Sequence, residues 1–155
     1  MTCDAVALIA SVWLASAAPM TATATPAVAV AAAPSSVASE PLFMDIVQRA
    51  DALKAAVDAW KGKEGPLPGF DAFSAEITEL SGLDMQAHLL LKARGTDGDL
   101  KCILRGISQD LPVRLKQVQN ARDQRARDMA LKEMFWLLRD NVDVITTPPT
   151  DTSGT

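Results

Sequence analysis

The sequence predicts an all-α fold, an up-down-up-down four-helix bundle, and three observations carry that expectation. Apolar residues between Phe43 and Ile145 recur in steps of three and four, the spacing that places side chains on one face of a helix. Aromatic side chains are scarce, with no Tyr, 4 Phe and 3 Trp, so Ala and the aliphatic residues have to fill the interior, as they do in helical bundles. The connections between patterned stretches are short and rich in Gly, Pro or charge, which suits antiparallel neighbours around one core. No strand-like alternation of useful length competes, and no internal repeat is evident.

Before the first helix, the chain of 155 residues has a different composition. All 15 Lys and Arg lie between Arg49 and Arg139, whereas Asp4 is the only charged residue before Glu40. Residues 5–18, AVALIASVWLASAA, form an apolar run of signal-peptide length, short of the roughly 20 residues a bilayer-spanning helix needs. Ala15, Ser16 and Ala17 supply the small side chains expected before a cut, with a poorer second site at Ala31, Ala32 and Ala33 ahead of Pro34. A signal peptide normally opens on Lys or Arg. Their absence keeps a second reading open, an Ala/Pro/Thr tail retained on a cytoplasmic protein. The expectation is export, with a signal peptide over 1–18, a disordered spacer over 19–39, a bundle domain over 40–146 and a disordered tail over 147–155. The protein is then periplasmic or secreted, with no stable membrane anchor once the leader is cut.

Each helix has its own start, stripe and stop. The first begins at Ser39 as cap, with Glu40 and Pro41 in a first turn that favours both residue types. Its stripe is Phe43, Ile46, Ala50, Leu53, Val57 and Trp60, and Gly62 ends it before the stiff connection of residues 65–69. The second starts near Phe70 and carries Phe73, Ile77, Leu80, Leu83, Ala87 and Leu90 or Leu91, with Ser81 and Gly82 as a candidate interruption and Gly95 as the stop. Thr96 with Asp99 then resembles a capping box. The third helix points Leu100, Ile103, Leu104, Ile107, Leu111, Leu115 and Val118 inward. Pro112 lies within that stripe, and an interior proline predicts a helix kinked or broken there, with Ser108 or Asp110 as the new cap. Asp123 caps the last helix, whose inward face is Leu131, Met134, Leu138, Val142 and Ile145, and Pro148 with Pro149 stops it.

Several functions are excluded or disfavoured by residue type alone. A net charge of -4 gives no basic face for nucleic acid. The basic run of Arg114, Lys116, Arg122, Arg125 and Arg127 has no aromatic residues for base stacking and reads as a solvated connection. His88 is the only histidine, so neither a di-iron bundle nor a zinc peptidase motif can be built. Asp84, one turn before it, makes an Asp-to-His surface pair the plain reading and a metal site the sharper one, two ligands being too few to close a site. Haem held between His88 and Met44, Met85 or Met134 would suit a bundle, yet core Met is common as a gap-filler and no attachment motif is present. Asp97, Gly98 and Asp99 lack the rest of a calcium loop. No catalytic motif and no cofactor are implied.

What remains points to contact with another protein. At 100° per residue Cys102 projects opposite the Leu104 stripe, beside Arg105 and Gln109, and is expected to be exposed. With Cys3 lost in the leader it would be a solitary thiol, suited to an intermolecular disulfide in a homodimer, or else packed away as a small apolar side chain. Met129 and Trp136 are seven residues apart and both face away from the Leu131 stripe, among Arg125, Lys132 and Asp143. Large apolar groups outside a core, beside charge, mark contact surfaces. The competing expectation is that another part of the chain covers Trp136. The sequence thus suggests a non-catalytic interaction module binding through Cys102, Met129 and Trp136, with a metal or haem carrier at His88 and Asp84 or a Met as the alternative.

Overall fold

The computed structural model describes residues 36–95 and 98–147, and four helices and one short 3-10 turn account for nearly all of these described residues. The expected leader at 1–18, the expected spacer as far as residue 35, Thr96, Asp97 and the expected tail from residue 148 lie outside the described residues. The helices are α1 (Pro41–Trp60), α2 (Phe70–Arg94), α3 (Gly98–Gln119) and α4 (Gln124–Thr146), and no strand occurs among the described residues. Neighbours pack in a ring, α1 on α2, α2 on α3, α3 on α4 and α4 on α1, while the diagonal pairs do not approach as backbones. Cross-helix contacts give the directions. Arg94 at the end of α2 reaches Glu40 just before α1, and His88 of α2 meets the Lys101 carbonyl at the start of α3. These two pairs therefore run antiparallel, and the short link 120–123 turns α4 back along α3, on which it packs.

The seams follow from the three-and-four spacing. On α1 the buried residues are Phe43, Ile46, Ala50, Leu53, Val57 and Trp60, the expected stripe without a slip. Trp60 closes that end of the core with its ring edge on Phe73, centroids 4.8 Å apart. Pro41 stands at the first helical position, where its missing N–H leaves nothing unbonded. Glu40, not Ser39, is the N-cap residue, and it makes no side-chain capping bond, because its carboxylate takes two 2.8 Å hydrogen bonds from the Arg94 guanidinium. Ser39 instead ends the 3-10 turn Ser36–Ser39, whose Val37 is buried in the core, so four residues of the expected spacer pack with the bundle.

Two expected interruptions are absent. Helix α2 runs through Ser81 and Gly82, and α3 runs through Pro112 without restarting, so the third helix is not broken there. A proline at 112 has no N–H to give the carbonyl of Ser108 one turn earlier. The Ser81 hydroxyl of α2 donates to that carbonyl at 2.8 Å, and the Ser108 hydroxyl donates back to the Ser81 carbonyl at 2.8 Å. The neighbouring helix thus supplies the hydrogen bond that proline removes. Helix α2 ends at Gly95, whose φ of 68° is the left-handed conformation glycine accepts without a Cβ clash. Asp123 caps α4 as predicted, accepting from the Ala126 N–H at 2.8 Å.

Candidate functional site

Three places carry chemistry or shape beyond core packing: a polar cluster inside the bundle, a groove between α1 and α2, and the outer face of α4. The polar cluster corrects an expectation. Asp84 is not at a surface edge but fully buried, and it accepts a 2.9 Å hydrogen bond from Nδ2 of buried Asn141 on α4. Desolvation pushes its carboxyl up to about 8, against the lowering effect of that hydrogen bond. His88 is buried as well. Its Nδ1 lies 2.6 Å from the Lys101 carbonyl, which can only accept, so Nδ1 carries the hydrogen. No third metal ligand joins Asp84 and His88, since no group of three candidate ligands occurs among the described residues. Of the Met residues considered as haem partners, Met44 is exposed and Met134 is fully buried.

Between α1 and α2 runs an apolar groove of about 500 Å³. Its α1 wall is Ala52, Ala56 and Ala59, whose small side chains hold the space open, and Ala72 with Phe73 form the facing wall. Charge closes one end, where Arg49 bridges Asp45 at 2.9 Å, Glu76 at 2.8 Å and Glu79 at 3.2 Å. The apolar stripes alone do not predict this groove. The signal lay in Asp45, Arg49, Ala52, Ala56 and Ala59, a second three-and-four row beside the core stripe.

On α4, Met129 is 61% exposed and Trp136 is 41% exposed, on the side away from the core, as the spacing predicted. The Trp136 ring is held in place: the Arg139 guanidinium lies 4.4 Å over it, and Phe135 meets it edge-on at 5.7 Å. Phe135 is in turn covered by the Lys61 ammonium at 3.6 Å. A depression lined by Gln124, Arg125, Asp128 and Lys132 adjoins Met129. At the same end, Arg127 donates to the Gly65 and Lys63 carbonyls, tying the α1–α2 connection to the start of α4, so part of the basic run has a structural task.

Cys102 does not join this strip. It lies half-buried on α3, not exposed, and its sulfur is held in a disulfide, so it is not the solitary thiol that the sequence suggests. No helix among the described residues is long and apolar enough to cross a membrane. No family model, curated protein or solved structure matches this chain.

Proposed function

We propose that this chain is an exported, non-catalytic helical-bundle module that binds another protein along the outer face of α4. One observation carries the reading: Trp136 and Met129 stand in solvent on the same side of α4, while the interior stripe of that helix is filled by Leu131, Met134, Leu138 and Ile145. Packing gives no reason for an indole outside a filled core. Trp is among the residues that contribute most to protein interfaces, and an indole already fixed by Arg139 and Phe135 loses little freedom on binding. The flanking Arg125 and Lys132 favour a partner with acidic side chains around an apolar patch.

A carrier built on His88 with Asp84 or a Met has less behind it, because Nδ1 of His88 is engaged by the Lys101 carbonyl and the pair gains no third ligand among the described residues. The α1/α2 groove supports a second binding reading, since an amphipathic helix could lie along its alanine wall.

Affinity capture with the full chain separates these readings. Trp136→Ala should weaken recovery of a specific partner at least tenfold and shift the melting temperature by no more than about 2 °C. Unchanged recovery with Trp136→Ala, together with loss on Ala56→Glu, would move the contact to the groove. A large stability loss from Trp136→Ala would show the indole to be part of the fold.

A further inference from the structure

Helices α2 and α4 stand on a diagonal of the bundle, and a buried polar contact joins them. Nδ2 of Asn141 donates to Oδ2 of Asp84 at 2.9 Å, with both side chains fully buried. The oxygens left over are Oδ1 of Asp84 and Oδ1 of Asn141, both buried and both without a hydrogen-bond partner. Each is an acceptor, so the pair is one donor short. Turning the amide over exchanges the bonded atoms and leaves the same shortfall, because a carboxylate brings no hydrogen of its own.

Among the described residues, no buried cation faces the pair to offset a negative charge. The buried faces of α1 and α3 bring apolar side chains and the Ser108 hydroxyl, and that hydroxyl already donates to the Ser81 carbonyl. Helix α4 brings Asn141 and apolar residues. Helix α2 itself brings His88, whose Nδ1 is engaged by the Lys101 carbonyl. No Lys or Arg is buried among the described residues. A carboxylate here would be unpaired in an apolar interior, the arrangement that most favours the neutral acid.

We propose that Asp84 is a proton lock, a neutral acid in the folded bundle whose Oδ1–H donates to Oδ1 of Asn141, and that release of this proton to solvent weakens the α2–α4 diagonal and with it the fold. One hydrogen satisfies both unpartnered oxygens. Burial raises the Asp84 carboxyl to about 8, in the same direction as the geometry. The folded state then holds the proton more tightly than the unfolded chain. Stability from this group is complete below the unfolded carboxyl range and is lost as pH rises toward about 8. Glu40 works in the opposite sense and a different window: Arg94 lowers its pKa, so its contribution is present above the unfolded range and lost in acid.

Urea unfolding of the full chain from pH 5 to pH 9.5, compared with Asp84→Asn, tests the lock. Asn at 84 supplies the missing donor permanently. Between about pH 5 and 8 the wild-type unfolding constant should rise about tenfold per pH unit relative to that of Asp84→Asn, and the variant should be the more stable protein at pH 9. Infrared difference spectra at pH 6 should show a carboxylic-acid carbonyl band that Asp84→Asn removes. Parallel pH profiles for the two proteins would overturn the proposal. So would an Asp84→Asn chain that fails to fold, or a bundle lacking the acid band, the result expected if a buried water supplies the donor to a charged Asp84.

Discussion

Ser81 and Ser108 show what single side chains contribute when backbone chemistry leaves a gap. Pro112 removes the donor to the Ser108 carbonyl, and the Ser81 hydroxyl fills the vacancy at 2.8 Å. A buried carbonyl left without a partner costs about 1–3 kcal/mol, so Ser81→Ala should destabilise the bundle by about that much. The source of the cost can be isolated. In a Pro112→Ala background the alanine N–H can bond the Ser108 carbonyl, and Ser81→Ala should then cost about 1 kcal/mol less, a coupling that a double-mutant cycle by urea unfolding reads directly. Equal costs in both backgrounds would mean that the hydroxyl matters only through its packing. The unbroken α3 was not legible in the sequence for this reason: proline is a strong local signal, and its compensation comes from a residue 31 positions away on another helix.

At the scale of elements, the seams were legible wherever they are apolar. Strict alternation on α1 named every buried position. On α2 and α4 the hydrophobic pattern stepped off the seam at one place each. Hydropathy favours Leu83 over Asp84 and Val142 over Asn141, although 80, 84, 87, 91 and 138, 141, 145 keep the period unbroken. Leu83 and Val142 are only half-buried, and the two polar residues occupy the interior and bond each other. Periodicity places a residue and hydropathy ranks it; where they disagreed, periodicity was correct. Leu91, not Leu90, is buried for the same reason. Helix ends depend on single contacts and were read with mixed results, Asp123 correctly and Ser39 not. The Asp123 cap offers a clean measure of such a contact. Asp123→Ala removes the acceptor of the Ala126 N–H and should lower stability by about 1 kcal/mol, a fall of about 4 °C in the melting temperature. Asp123→Asn or Asp123→Ser, which retain an acceptor, should recover most of it.

For the whole molecule, the candidate site was legible in part because exposure on a helix follows from angle. Met129 and Trp136 were placed outside by direction alone, and they are. Cys102 was placed outside by the same rule and is half-buried, since direction from one helix axis says nothing of what else packs there. The groove and the proton-bearing pair arise only when helices come together, so no single stretch of sequence announces them. The proposed export belongs to this scale too, because it would decide which compartment any partner occupies. The proposal rests on the apolar run at 5–18 and the small residues at 15–17, and the basic residues that normally precede such a run are not among residues 1–18. Supplying that charge provides the test. Produced with its own leader in a Gram-negative host, the chain should be recovered from the periplasm with an intact mass lacking the residues up to Ala17 or Ala18. Thr2→Lys, which supplies the missing positive charge, should raise the processed fraction. If residues 1–18 are a retained tail, the added lysine changes nothing, and the full-length mass stays in the cytosol for both chains.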